Sequence, residues 1–197
     1  MHSWAIDRPL TSPFARPKGW RGRLAGRFML WTNHQDDLID ILDVRPGHRV
    51  LEVGYGPGGL VRLLLNRTAA ASVVGVDPSP AMRDQAKRVN KKADLRLGTA
   101  EQTGLDDASV DRVVSVNTVA IWPDLEAGIA ELHRVVRPGG TVTLAWHGGT
   151  NPSRIARGLR LPAEKLDRIE GALRERFGQV RRVQLAGLDV FTAARPA

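Results

Sequence analysis

The stretch Val50-Leu51-Glu52-Val53-Gly54-Tyr55-Gly56-Pro57-Gly58-Gly59 constrains this chain more than any other. An apolar run delivers a glycine-rich loop, and a helical pattern begins at Leu60. Glycine lets the backbone turn left-handed and lets a ligand approach without a Cβ in the way. A helix that starts after such a loop offers free N–H groups and a partial positive charge to anions. The loop alone does not choose among nucleotide-binding chemistries. Asp77 narrows the choice: it closes the next apolar run, 23 positions after Gly54. A carboxylate at a strand end can accept both hydroxyl hydrogens of a ribose. It can also cap a helix that follows Pro78.

The rest of the chain alternates in the same way. Strands are expected at 49–53, 72–76, 94–97, 111–116 and 141–146, with helices at 60–66, 80–90 and 125–136 between them. Short buried strands alternating with helices imply a mostly parallel sheet covered on both faces. Pro138-Gly139-Gly140 reads as a tight turn into the 141–146 strand. A helix over 162–177 is followed by two strands, 180–185 and 188–192, split by Ala186-Gly187. That pattern predicts a terminal antiparallel hairpin. Ahead of the alternation, residues 1–20 mix prolines with Trp4, Phe14 and Trp20, and a helical pattern runs from about Arg21 to Leu42. We divide the chain into an arm and helix at 1–35 and a ligand-binding domain at 36–197.

Four stretches together carry a resemblance: VLEVGYGPGG at 50–59, GVDPS at 75–79, LGTAE at 97–101 and ELHRVVRPGGTVTLAW at 131–146. They resemble, in order and spacing, the class I S-adenosylmethionine-dependent methyltransferases, specifically the small-molecule group called methyltransferase type 11. The resemblance covers about residues 38–147. It implies an α/β, Rossmann-like three-layer sandwich with a seven-stranded sheet. It implies S-adenosylmethionine as cofactor, S-adenosylhomocysteine as product and a small-molecule acceptor. Carried over residue by residue, Glu52 is the acid that organises the loop and the methionine amino end, and Gly54, Gly56 and Gly58 line the cofactor. Asp77 is the ribose acid, Pro78 and Met82 supply apolar contacts to adenine, and the Ala100 N–H reaches the adenine ring. Asn117 lies beside the methionine portion. Two positions depart from the family. Thr99 stands where an aspartate is common, which leaves Glu101 or a hydroxyl to meet the adenine amino group. Tyr55 fills a position that is often small and is expected over the methionine end.

Displacement at a sulfonium methyl asks the protein mainly to align nucleophile, carbon and leaving sulfur. A general base is needed only for an acceptor that is protonated at working pH. The candidate bases are His147, just past the 141–146 strand, and His34, in the N-terminal helical stretch. Trp122, Trp20 and Trp31 are candidates for the acceptor pocket, where an indole can attract a cation. The chain has no cysteine, which excludes disulfides and thiolate metal sites, and no metal centre is expected. No apolar run is long enough to span a bilayer and no secretory signal is evident, so a cytoplasmic protein is expected. The net charge of +8 is uneven: residues 1–34 hold six basic and one acidic side chain, and residues 151–197 ten and five. Such flanks suit an anionic acceptor. No nucleic-acid motif accompanies the charge, and no nucleic-acid partner is expected. Two other readings share the loop. A nicotinamide-dependent oxidoreductase would want GxGxxG spacing, whereas this loop is GxGxG with Glu52 ahead of it. A non-catalytic module of the same fold would bind cofactor without turnover.

Overall fold

Five short strands, four of them rich in valine, form the parallel part of one sheet in the computed structural model, which describes residues 3–5 and 36–197. They are β1 (Arg49–Val53), β2 (Ser72–Asp77), β3 (Asp94–Leu97), β4 (Val110–Val116) and β5 (Val136–His147). β-Branched side chains suit a pleated surface, and burial of both faces explains why these runs are apolar rather than alternating. Two further strands, β6 (Val180–Gln184) and β7 (Leu188–Ala194), close the sheet antiparallel, in the order β3-β2-β1-β4-β5-β7-β6. The seven-stranded, mostly parallel α/β sandwich with a terminal hairpin is thus the architecture of the described chain.

Among the described residues the helices are α1 (Asp36–Ile41), α2 (Gly59–Arg67), α3 (Pro80–Val89), α4 (Leu125–Val135), α5 (Arg154–Gly158) and α6 (Ala163–Phe177). Strand side chains alternate between faces, so each strand feeds two cores. Leu51, Val53, Val113, Leu144 and Phe191 pack with Leu125, Ile129, Ile169 and Leu173 of α4 and α6. Val50, Val73, Val114 and Val190 pack with Leu38, Leu60, Leu64 and Met82 of α1, α2 and α3. Ser79 caps α3 by accepting the Met82 N–H at 3.4 Å, with Pro80 in the first turn. Asp124 caps α4 by accepting the Ala127 N–H at 2.9 Å. Each such cap satisfies an N–H that the helix itself cannot.

Two local expectations change. Residues 138–140 lie inside β5, which starts at Val136, and form a bulge there: Gly139 has φ of 74° and the register with β4 shifts between Val110 and Arg112. The segment at Arg195 pins this bulge, because the Gly139 N–H donates to the Arg195 carbonyl and the Arg195 N–H to the Gly140 carbonyl, both at 2.9 Å. Residues 154–158 form a helix that the sequence pattern did not reveal, only five residues long. Of the helix expected from Arg21 to Leu42, the described part is α1.

Candidate functional site

The carboxyl ends of β1, β2, β4 and β5 lie side by side along one edge of the sheet. In an open parallel sheet this is the edge where ligands bind. β1 leads into the glycine loop, where Gly54, Gly56 and Gly58 have φ of 77°, 52° and 86°. A side chain at Gly54 would be strained by that backbone and would also collide with the Thr118 side chain. The loop is held from three sides: the Gly54 N–H donates to the Val76 carbonyl at 2.7 Å, the Gly56 N–H to Asp77 Oδ2 at 2.9 Å, and Asn90 Nδ2 to the Gly58 carbonyl at 3.0 Å.

Asp77 is buried at the end of β2, and its other oxygen accepts the Ser79 N–H at 2.8 Å. It therefore supports the helix start, but Ser79 is the cap. Burial raises its pKa, while the N–H groups of Ser79 and Gly56 pull it down. Glu52, on the adjacent strand, is 4% exposed. Burial pushes its pKa well up, the neighbouring Asp77 charge pushes the same way, and a hydrogen bond from the Val61 N–H at the start of α2 opposes both. Its Oε2 is buried with no hydrogen-bond partner among the described residues. Asn117 follows β4 with φ of 57°, unusual for a residue with a side chain. Its N–H donates to the Ala145 carbonyl at 2.8 Å, and its Oδ1 is likewise buried without a partner. Such strain and such unmet acceptors collect at ligand sites.

The remaining candidates fall in different places. Tyr55 sits in the loop, but its ring is in the core: it packs over Gly75 beside Leu95 and its hydroxyl donates to the Arg96 carbonyl at 3.2 Å. The ring is thus held between the loop and β2 rather than projecting from the sheet edge. Met82 is buried in the same core, and Pro78 is exposed. Thr99 and Gln102 close a tight turn through their backbones, with Ala100 buried inside it. The Glu101 carboxylate accepts the Asp124 N–H at 3.3 Å, at the start of α4. Glu131 braces the same segment by accepting the N–H and hydroxyl of Thr103 at 2.8 and 2.6 Å.

Trp122 is 4% exposed: its ring fills the space left by Gly128 of α4, and its Nε1 donates to Thr118 Oγ1 at 3.2 Å, beside the glycine loop. His147 ends β5, with its ring edge-on to Trp146 at 5.5 Å. Burial lowers its pKa to about 4, so it is neutral at pH 7. His34, Trp20 and Trp31 lie outside the described residues. Asn90 and Thr118 were missed by reading the sequence. Each is an ordinary polar residue in its own segment, and each meets the glycine loop only through the fold.

The donor set suits a cation-bearing nucleoside. Left-handed glycines and Asp77 line the turn after β1, and the buried Glu52 Oε2 and Asn117 Oδ1 have no hydrogen-bond partner among the described residues. Comparison with known proteins agrees. Residues 51–144 match the family model described as "Methyltransferase domain". An uncharacterized methyltransferase, YdaC of Bacillus subtilis, is 36% identical over 108 residues, which cover 54% of this chain and 60% of that protein. The malonyl-[acyl-carrier protein] O-methyltransferase of Serratia marcescens is 37% identical over 105 residues, 53% of this chain and 40% of that protein. The chain thus matches about two fifths to three fifths of the length of these relatives. Among solved structures, geranyl diphosphate C-methyltransferase from Streptomyces coelicolor, crystallised with S-adenosyl-L-homocysteine, shares the fold at a TM-score of 0.65. It has 14% identity and covers 99% of this chain and 91% of that one.

Proposed function

We infer, from the match of residues 51–144 to a methyltransferase domain, that this chain is a class I S-adenosylmethionine-dependent methyltransferase that methylates a small-molecule acceptor by direct in-line displacement. The observation that carries the reading is the convergence of the glycine loop, Asp77, Glu52 and Asn117 at one sheet edge, with two buried acceptors unmet. S-adenosylmethionine, when bound, supplies a methyl group activated by its sulfonium charge. The chain's own part is to hold and orient. Asp77 would take the ribose hydroxyls, and Glu52 and Asn117 the cationic methionine end. The turn at 99–102 would border the adenine.

His147, neutral at pH 7 with its pKa lowered to about 4, is a weak base, which suits an acceptor already ionised at working pH. The acceptor we favour carries negative charge. The segment after His147 presents Arg154 and Arg157 exposed, and both flanks of the chain are basic. Malonyl and diphosphate groups figure in the names of two similar proteins. Thermal unfolding with S-adenosylhomocysteine, and with NAD as control, tests the cofactor. A ligand at a hundred times its Kd adds about 2.7 kcal/mol to the folded state. For a chain of this size that is roughly 5–10 °C. A rise with NAD alone overturns the reading. Mass gain of 14 Da per methyl (about one CH2) across acidic and neutral acceptors then tests the acceptor class.

A further inference from the structure

Ser3, Trp4 and Ala5 are distant in sequence from the cofactor loop, yet they are tied to it by an unbroken series of hydrogen bonds. The Ser3 hydroxyl donates to the Ala120 carbonyl at 2.7 Å, and the Trp4 indole N–H to the Val119 carbonyl at 2.7 Å. The Trp4 backbone N–H donates to the Trp122 carbonyl at 3.2 Å. Three outward carbonyls of the 3-10 turn Val119–Ile121 and its flank are thus capped by two residues. The Trp4 ring is also bracketed by cations of α6: Arg168 lies 5.2 Å and Lys165 5.8 Å from its centroid. Cation–π contact adds to that seat.

The turn passes this restraint inward through one hydroxyl. Trp122 Nε1 donates to Thr118 Oγ1 at 3.2 Å, and Ser115 Oγ lies 2.5 Å from the same atom. Thr118 Oγ1 reaches the Val53 carbonyl, the last residue before the loop, at 3.5 Å. A hydroxyl accepts two hydrogen bonds and donates one, so this set saturates it. The Thr118 methyl fills the space beside Gly54 where a Cβ would otherwise sit. Its neighbour Asn117 holds the left-handed backbone and the unmet oxygen.

We propose that Ser3, Trp4 and Thr118 are positioning residues for the cofactor loop. The N-terminal segment locks the 119–122 turn, and the Thr118 hydroxyl carries that lock to Asn117 and Gly54. Coupling of this kind is reciprocal, so a ligand in the loop also tightens the seat of Trp4. Only the identity of the ligand rests on the methyltransferase reading.

Calorimetric binding of S-adenosylhomocysteine and amide exchange are measured on the full chain and on Trp4→Ala, Thr118→Val, Thr118→Ser and the Trp4→Ala/Thr118→Val double variant. Valine keeps the branched shape and removes the hydroxyl, whereas serine keeps the hydroxyl. Trp4→Ala and Thr118→Val should each weaken binding about fivefold, the size of one lost hydrogen bond. Thr118→Ser should stay within about twofold, and the double variant should be little worse than either single, because both cut one series. Exchange at Gly54 and Asn117 should quicken in both single variants. Unchanged affinity and unchanged exchange at those two residues, with only a lower Tm, would overturn the proposal. So would strictly additive losses. If the unaltered chain binds no S-adenosylhomocysteine, the cofactor reading fails, and exchange at Gly54 and Asn117 alone decides the coupling.

Discussion

The two halves of the site are built differently. On the β1–β2 side, charge is buried: Glu52 and Asp77 are each under 10% exposed, on adjacent strands, and both have raised pKa values from burial. On the β5 side the buried carboxyl, Asp189 of β7, is already met by Gln184 Nε2 at 2.7 Å, half-buried His147 is neutral, and the exposed charge is basic, on Arg154 and Arg157. Two carboxyls out of water are costly unless something cationic meets them. A neutral ring beside an exposed basic segment costs little and leaves the occupant open. The first side is built for one ligand, and the second tolerates many.

The largest effect that would break this comparison is at Gly54. Gly54→Ala combines a left-handed backbone with a collision against Thr118, so it should cost roughly 3 kcal/mol in urea unfolding and remove S-adenosylhomocysteine binding. A variant that folds and binds normally would show that the loop is slack. Next is Asp77→Asn, which keeps volume but trades a charged acceptor of two backbone N–H groups for a neutral one. Affinity for S-adenosylhomocysteine should fall about tenfold or more by calorimetry.

Two pH experiments sharpen the contrast. The raised pKa of Glu52 means that a cationic ligand end must meet an ionised carboxyl that folding disfavours. Binding should release a proton and strengthen as pH rises, and Glu52→Gln should flatten that dependence. His147 shifts the other way, to about 4. Between about pH 6.5 and 4 the unfolded chain takes up a proton at this position that the folded chain refuses. Stability should therefore be lost as pH falls through that window, and the loss in Tm should be smaller in His147→Asn. The smallest effect is expected far from the edge. Exposed Arg174 pairs on α6 with half-buried Glu170, which Arg182 also reaches at 3.5 Å, and Arg174→Ala should change stability by about 0.5 kcal/mol or less.

Much of this was legible in the chain because its causes are local. Valine-rich runs, the glycine spacing and Pro80 after Ser79 each specify backbone within a few residues, and the sheet follows from their alternation. The rings were harder to place. Tyr55 and Trp122 look like ligand contacts in sequence, since each lies in a loop that borders the site. Their positions depend on Gly75 and Gly128, which leave ring-sized space on a neighbouring strand and helix. No spacing rule links Tyr55 to Gly75.

Sequence by itself thus determined the succession of strands and helices along the chain, the glycine loop and the acids at the strand ends, because periodicity and backbone preference act over short range. Tertiary structure alone decided which oxygens go unmet, how low His147 titrates, and that Trp4 reaches Val53 through Thr118. Those properties depend on burial and on contacts between segments more than 100 residues apart. Neither is written in the order of neighbouring residues.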